Sequence, residues 1–517
     1  MSLQYMIGMD IGTTNIKAIV MDENGTTVAQ ASRQNHLILP APGYVEQNAD
    51  EWWDNAAGIF RDLVIQAGSD IISNIRGICI SSQTVTMLPV DAAGKPVRNA
   101  LIWMDSRSSK EMHYISLEVG HDRFEVITGA QPDVAFLPNK MLWFRTQEPE
   151  LYARTDCFLQ SSSYVNFKLT GEKTTDMDQA VRTQCLDINT LKWSKEIGDA
   201  CGIDFDRYLP APVEPMTVIG QVTAEASEET GLPAGIPVCA GASDAFMALY
   251  ATGLSRLGEA AESSGTSSLV FAGCDHATPV DRPVVAKPCG IPGIPYLFDA
   301  PISASGASLK WYLDELGAAE KAEAAANNKN VYDWMNELAA SVPAGSNGVI
   351  FFPYLLGERA PLWNSHARGM FIGISIDTER ADILRSVFEG TAFSIRHVVE
   401  TIRAAGGQVD SFRIAGGGAK SRTWAKIKAS MLHVPVYLLD DKAGDIPFGD
   451  ALCAGAAAGI FKDTSETVKK LIGVKEVIEP DEEWAAVYDR IYPYYLSLYQ
   501  DVDKDLLRLK NEWNRMK

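Results

Sequence analysis

The sequence predicts an α/β protein of two domains, and three observations carry that reading. Apolar strand-like runs alternate with helical patterns over most of the length, as expected where strands pack against helices. At 517 residues the chain exceeds what one hydrophobic core usually organises. Two hydroxyl-rich glycine turns, Gly12-Thr13-Thr14 and Ser264-Gly265-Thr266-Ser267, recur in similar hairpin settings, so two similar lobes are expected. The boundary should fall between Gly253 and Gly258, giving domains of 1–254 and 255–517.

The first turn sits in a β-meander. Two apolar, β-branched runs flank Asp10-Ile-Gly-Thr-Thr14, and Asp22-Glu-Asn-Gly-Thr26 turns the chain into a third run, Val28 to Ala31. Gly12 allows backbone N–H groups to approach an anion, Thr13 and Thr14 add hydroxyl donors, and Asp10 can hold a metal ion that bridges phosphates. Such a turn suits the β- and γ-phosphates of a nucleotide. An ordinary hairpin could carry the same glycine and threonines. No Gly-x-x-x-x-Gly-Lys-Ser/Thr loop and no Gly-x-Gly-x-x-Gly fingerprint occurs, so nucleotide binding must use the hairpins.

Composition narrows the partners. A net charge of −20 (Lys+Arg 46, Asp+Glu 66) repels nucleic acid and anionic lipid, and neither is expected as a partner. The eight cysteines are scattered singly and the histidines form no His-Glu-x-x-His cluster, which fits reduced structural thiols better than disulfides or zinc. The N-terminus shows no charged-then-apolar leader, and the best apolar run, Ile446 to Phe461, is short and interrupted by Asp450. A cytoplasmic enzyme is expected. The sequence leaves a homodimer open.

Further elements follow from periodicity. Ile75–Ile80 and Thr86–Val90 read as strands, and Glu51 to Gly68 as a helix with Ala56, Ile59, Phe60, Leu63 and Val64 on one face. Asp377-Thr378 caps a long helix to about Ala405, with Leu384, Val387, Phe388, Thr391, Ile395, Val398 and Ile402 as its buried stripe. Phe412–Ala415 is a strand, followed by Gly416-Gly-Gly-Ala-Lys-Ser421 and a helix from Arg422 to Met431, a recurrent nucleotide-binding arrangement. Glu482 to Trp513 is amphipathic and packs as one helix or two.

Several segments in fixed order then become specific. Gly369-Met-Phe-Ile-Gly-Ile374, seven residues, and Asp382-Ile-Leu-Arg-Ser-Val-Phe-Glu389 resemble, element for element, the C-terminal signature of the FGGY carbohydrate kinases. Pro42-Gly-Tyr-Val-Glu-Gln47, Asn99-Ala-Leu-Ile-Trp-Met-Asp-Ser-Arg107, Asn139-Lys-Met-Leu-Trp143, Ala240-Gly-Ala-Ser-Asp244, Gly265-Thr-Ser267, Gly357-Glu-Arg-Ala-Pro361 and Gly416-Gly-Gly418 follow the order of that family, across roughly residues 5 to 460. Leu137 departs from the N-terminal signature, where a small polar residue or proline is usual. The resemblance implies two actin-like (ribonuclease H-like) ATPase domains flanking a deep cleft, with sugar mostly on the first and ATP mostly on the second. It implies transfer of the γ-phosphoryl of MgATP to a sugar hydroxyl.

The roles follow from that. An isolated Asp after Gly-Ala-Ser ordinarily reads as a helix N-cap, but the family position makes Asp244 the catalytic base, an Asp of near-normal pKa that accepts the sugar hydroxyl proton. Asp10 would hold Mg²⁺ through water, and Gly12, Thr13 and Thr14 would meet phosphate. Lys17 is grouped with them, although a solvent-facing lysine fits equally. Gly265, Thr266 and Ser267 would cradle phosphate, while Gly417 and Gly418, with Gly306 nearby, would let adenine or ribose approach the backbone. For the sugar the candidates are Gln83, Thr84, Val85, Trp103 and Asp105, besides Asp244 itself. An indole face packs on C–H groups and a carboxylate accepts hydroxyl protons. Arg107 could instead pair with Asp105.

Among subfamilies the chain is similar to xylulokinases and to gluconate kinases. Xylulokinases usually carry Gln-Met-His where this chain has Gln83-Thr84-Val85, and Val85 offers a carboxylate no charge. A pentulose, D-xylulose first, is expected; gluconate, another ketose or a polyol is the alternative. An actin-like chaperone or filament protein would use the same hairpins but have no need of Trp103, Asp105 or Asp244.

Overall fold

The computed structural model describes residues 3–278, 283–291, 293–461 and 464–516. They form two compact units: residues 1–255, 287–295 and 444–472 in the first, and 256–286, 296–443 and 473–517 in the second.

The first unit is built on the expected meander. β1 (Tyr5–Ile11), β2 (Asn15–Asp22) and β3 (Thr27–Gln34) pair antiparallel in sequence order. The sheet continues from β1 through β4 (Ile75–Ser82), with β5 (Val218–Gln221) and β6 (Pro237–Ser243) beyond, in the order β5-β6-β4-β1-β2-β3. β1, β4 and β6 run parallel, and β5 is the antiparallel edge. The central strands are buried on both faces and accordingly read as near-continuous apolar runs. Helix α1 (Ala49–Ala67), capped by the Asn48 side chain on the Asp50 amide, buries Ala56, Ile59, Phe60 and Leu63, and Val64 packs at the rim. Thr86–Val90 shortens to Leu88–Val90 and pairs with Cys157–Leu159 in a small separate sheet.

Helix α2 (Leu137–Gln147) places Lys140 at the centre of the unit, fully buried. Its ammonium donates to the carbonyls of Ile102 (2.7 Å) and Val85 (3.4 Å), tying together the two segments expected to hold sugar. α3 (Met177–Arg182) and α4 (Asp244–Tyr250) lie beside the end of β6.

The second unit repeats the plan. β7 (Gly258–Ser264) and β8 (Ser268–Cys274) form the second hairpin, β9 (Ile294–Ile302) pairs antiparallel with β8, β10 (Val409–Gly416) and β11 (Val436–Leu439) continue parallel from β7, and β12 (Val474–Ile478) is the antiparallel neighbour of β11. The order β9-β8-β7-β10-β11-β12 mirrors β3-β2-β1-β4-β6-β5, and a seventh strand, Ala286–Ile291, extends this sheet beyond β9. The faint likeness of the two glycine turns thus reflects a repeated topology. One difference is that the antiparallel edge precedes its neighbour in the chain in the first unit and follows it in the second.

Helices α5 (Gly306–Glu315), α6 (Val331–Ser341), α7 (Arg380–Ala404) and α8 (Arg422–Leu432) complete the second unit's core. The α7 stripe is buried as its period requires, but its cap is not Asp377-Thr378. The Thr378 hydroxyl accepts from the Ser375 amide in a preceding turn, and Glu379 with Asp382 forms a reciprocal capping box. Gly406, at φ +97°, ends the segment. Under the second hairpin Lys428 and Glu262 form a fully buried pair (2.7 Å), with Ser268 donating to Glu262 (2.6 Å); breaking one partner of such a pair costs far more than the pair contributes.

The chain then returns to the first unit. Helix α9 (Ile446–Ala457) lies on β1 so closely that a Cβ at Gly8 would collide with the Pro447 carbonyl and the Ala451 amide. A single cut near 254 would assign these residues to the second domain; close packing of small residues on β1 groups them with the first. The last helix, α10 (Glu482–Met516), is one helix through Pro493, and buries Tyr488, Tyr495 and Tyr499 in the second unit. No helix of the described residues is long and apolar enough to cross a membrane. All eight cysteines are free thiols.

Burial pushes the Lys140 ammonium down from 10.5 to about 7, with Asp105 and Asp133 opposing and Arg107 adding to the fall. Below pH 7 both folded and unfolded chains carry the proton. Between about 7 and 10.5 only the unfolded chain does, so Lys140 makes stability rise with pH across that window. Urea unfolding of wild type and Lys140→Met from pH 7 to 10 should show wild type gaining on the variant as pH rises. A gap that stays constant would contradict the assignment.

Candidate active site

The chemistry-bearing groups of the first unit collect where its parallel strands end. In register, Asp10 stands beside Ser81, Ile11 beside Ser82, and Ser82 beside Ser243. Asp10, the 81–85 segment and Asp244 therefore share one edge of the sheet, the carboxyl end at which open α/β sheets take ligands.

Asp244 is the first residue of α4, one beyond the position an N-cap would occupy. The cap is Ser243, whose hydroxyl accepts from the Phe246 amide (3.3 Å). Asp178, on α3, holds that cap by accepting from the Ser243 amide (3.0 Å) and hydroxyl (2.5 Å), and is itself gripped by Arg182 Nε at 3.1 Å. Asp244 remains half-buried, with one oxygen accepting from its neighbour's amide, Ala245 N (2.7 Å). Its pKa is not the near-normal one expected: burial raises it, opposed by the Ala245 amide and Arg182 and reinforced by Asp178.

Asp10 is buried, and its Oδ1 has no hydrogen-bond partner among the described residues. Burial and the nearby Asp244 and Asp445 carboxylates push its pKa up to about 8, while Lys17 pulls it down. Lys17 pairs directly across from Asp10 in the β1–β2 ladder, so both side chains occupy one face; this fixes the face that alternation alone left open. Asp450, from α9, is fully buried, accepts from the Ser81 hydroxyl (2.8 Å) and is held well above the usual carboxylate range by burial and by Asp10. An orphaned carboxylate oxygen among other acids fits a divalent cation, and Asp10 is the residue that would hold it.

The first turn differs from expectation in its hydroxyls. Thr14 is exposed and accepts from Asn15 Nδ2 (3.1 Å). The Thr13 hydroxyl instead donates to Gln83 Oε1 (2.8 Å) and accepts from Trp103 Nε1 (3.1 Å). Asn35 braces the turn by donating to the Gly12 carbonyl (2.8 Å), and the Gly12 amide closes it on the Asn15 carbonyl (3.1 Å).

The sugar candidates divide. Trp103 is 45 % exposed, and Thr84 is half-buried, its hydroxyl oxygen buried and without a partner among the described residues. Gln83 and Val85 are buried. Asp105 has no exposed surface: it accepts from the Val45 amide (2.6 Å) and pairs with Arg107 (2.7 Å), whose Nη2 also reaches Glu46 (2.8 Å). The arginine two residues on takes the carboxylate expected to meet a sugar hydroxyl. Asp105 thus braces the loop that carries Trp103.

In the second unit the three glycine segments converge. The Gly306 amide donates to the Gly265 carbonyl (3.1 Å) and the Ala307 amide to the Thr266 carbonyl (2.9 Å); a Cβ at Gly306 would strike the Gly265 carbonyl. Gly416, at φ +84°, bends β10 into the Gly417–Lys420 turn, and Gly418 packs on the Ser264 side chain. These residues line a pocket of about 600 Å³ together with Leu309, Tyr332, Asn336 and Lys310. Ser264 lines it, and its buried Oγ has no hydrogen-bond partner among the described residues. Ser267 closes the turn through its carbonyl (3.0 Å from the Gly265 amide).

Several residues here carry no sequence motif. Asp178 and Arg182 lie some sixty residues before Asp244, and Tyr332 and Asn336 lie on a helix with no glycine signature. Two signals were legible: Asn330 as a cap before Val331, whose side chain accepts from the Tyr332 amide, and Asp445 before Ile446-Pro447 at a helix start.

Comparisons with known proteins identify the family and the fold. Family models for the N-terminal and C-terminal domains of the FGGY family of carbohydrate kinases match residues 5–251 and 260–458. A xylulose kinase of Staphylococcus epidermidis is 31% identical over 98% of this chain and 99% of its own length. Among solved structures, a xylulose kinase from Rhodospirillum rubrum superposes with a TM-score of 0.86 at 31% identity, covering 97% of this chain and 100% of its own. A gluconate kinase from Lactobacillus acidophilus gives 0.84 at 25% identity, covering 97% and 98%. Two matched domains, in order and spanning most of the sequence, make the chain a member of the FGGY family of carbohydrate kinases.

Proposed function

We propose that this carbohydrate kinase transfers the γ-phosphoryl group of ATP to a hydroxyl of a pentulose, D-xylulose first. The observation that carries the reading is Asp244 at the carboxyl edge of the first sheet, beside Asp10 and the Thr84–Trp103 surface, with a glycine-walled pocket of nucleotide size in the second unit. Relatives named xylulose kinase, about 30% identical over nearly the whole chain, support the choice of sugar. So does the 83–85 segment, in which Gln83 and Val85 are buried and no residue carries a cation for a carboxylate.

Asp244 accepts the proton of the attacking sugar hydroxyl as the oxygen–phosphorus bond forms and ADP leaves. Its raised pKa makes it a better base than an ordinary aspartate. Asp178 keeps the carboxylate at the helix start by holding the Ser243 cap. Trp103 packs on the C–H face of the sugar, and Thr84 offers a free hydroxyl. In the second unit Gly417 and Gly418 admit the base and ribose, and Ser264, Gly265 and Thr266 meet phosphate. A divalent cation held by Asp10 supplies neutralisation of phosphate charge.

Asp244→Asn should lower kcat roughly a thousandfold while KM for ATP stays put; normal turnover would remove Asp244 from the chemistry. Gly417 is exposed, and a Cβ there would make only an ordinary contact with the Ser264 carbonyl at 3.7 Å, so Gly417→Val should raise KM for ATP about tenfold, near 1.4 kcal/mol, and leave the melting temperature and the sugar KM unchanged. In a coupled assay of D-xylulose, D-ribulose, D-gluconate and glycerol with MgATP, D-xylulose should give the highest kcat/KM. A preference for gluconate would overturn the choice of sugar but not the kinase.

A further inference from the structure

The first turn is tied to the sugar side of its unit by more hydrogen bonds than a phosphate cradle requires. The Thr13 hydroxyl donates to Gln83 Oε1 (2.8 Å), Gln83 Nε2 donates to Gln47 Oε1 (2.6 Å), and Gln47 Nε2 returns to the Thr13 carbonyl (2.7 Å). The three residues form a closed ring. Trp52 Nε1 donates into it at Gln47 (3.3 Å), and Gln47, Gln83 and Trp52 are each at most 1 % exposed. Trp103 Nε1, donating to Thr13 Oγ1 (3.1 Å), is the arm that reaches the surface.

A hydroxyl has one proton to give. Thr13 gives its proton to Gln83, so donation to a phosphate would break the ring and strand a buried amide oxygen, which is costly. Thr14, one residue on, is exposed and keeps its proton available. The turn thus divides its labour: Thr14 faces an incoming anion, and Thr13 faces Gln83 and Trp103.

Resting on the kinase reading above, we propose that Thr13 is a positioning residue that couples the sugar subsite to the phosphate turn. Packing of a sugar against Trp103 fixes the indole, the indole fixes the Thr13 hydroxyl, and Thr13 fixes the turn on which the phosphates settle. The entropy of ordering this assembly is paid once, by whichever substrate arrives first, so each tightens the other. Thr13 touches no reacting atom in this scheme.

The test is calorimetric titration of D-xylulose into wild type, Thr13→Val, Thr13→Ser and Trp103→Phe, with and without saturating ADP and Mg²⁺. Wild type and Thr13→Ser, which keeps the hydroxyl, should bind D-xylulose about fivefold or more tightly when the nucleotide is present. In Thr13→Val the ratio should fall to one while ADP alone still binds. Trp103→Phe removes the arm and leaves the ring, so it should lower the ratio even if Thr13→Val does not fold. A ratio kept in Thr13→Val, or absent from wild type, overturns the coupling. Wild type that binds ADP but no D-xylulose in either titration would instead fail the sugar reading, and the coupling with it.

Discussion

The constraint on which this structure turns is the crowding of acids at one edge of the first sheet. Asp10, Asp244, Asp445 and Asp450 are all held above the ordinary carboxylate range, each chiefly by burial; Asp244 and Asp445 add to the rise at Asp10, and Asp10 and Asp445 to that at Asp450. A sheet edge carrying this many carboxyl groups is tolerable only where other groups meet them. Ser81 donates to Asp450, Lys17 lies across from Asp10, and Arg182 faces Asp244 through Asp178. What these leave unmet among the described residues is the Oδ1 of Asp10, and the ionised form of that group is favoured by a positive charge nearby.

The repeated topology explains why the two halves take different tasks from one plan. Both units present a hairpin turn and the carboxyl ends of two parallel neighbours. In the first unit those ends carry acids and a tryptophan platform. In the second they carry glycines, and a Cβ at Gly306 or Gly418 would fill space that backbone and Ser264 already occupy. Side-chain chemistry belongs to one unit and backbone approach to the other.

How much of this was legible depends on distance along the chain. The meander, the glycine turns, the α7 stripe and the strand before Asp244 could be read because period and turn chemistry act locally. The role of base proposed for Asp244 could not: Gly-Ala-Ser-Asp is a good helix start, and only the ordered family resemblance pointed elsewhere. Asp105 was misassigned because an arginine at i+2 competes for the same carboxylate, and sequence does not say which partner is closer. Asp178, Arg182, Tyr332 and Asn336 reach their sites by tertiary packing, so no spacing could announce them. The α7 cap lies just past the expected Asp377-Thr378 pair because Glu379 with Asp382 offers two reciprocal bonds, against the single preceding turn that Thr378 makes.

The return of residues 444–472 to the first unit has a bearing on how the molecule can be divided. Gly8 is bare so that α9 can lie against β1. A polypeptide ending near residue 255 would therefore keep the meander, Trp103 and Asp244, yet leave the glycine face of its central strand open to water and lack Asp445 and Asp450 altogether. The halves of this enzyme are interlaced in the chain although they are separate in architecture, and neither is a module that could be lifted out by a single incision.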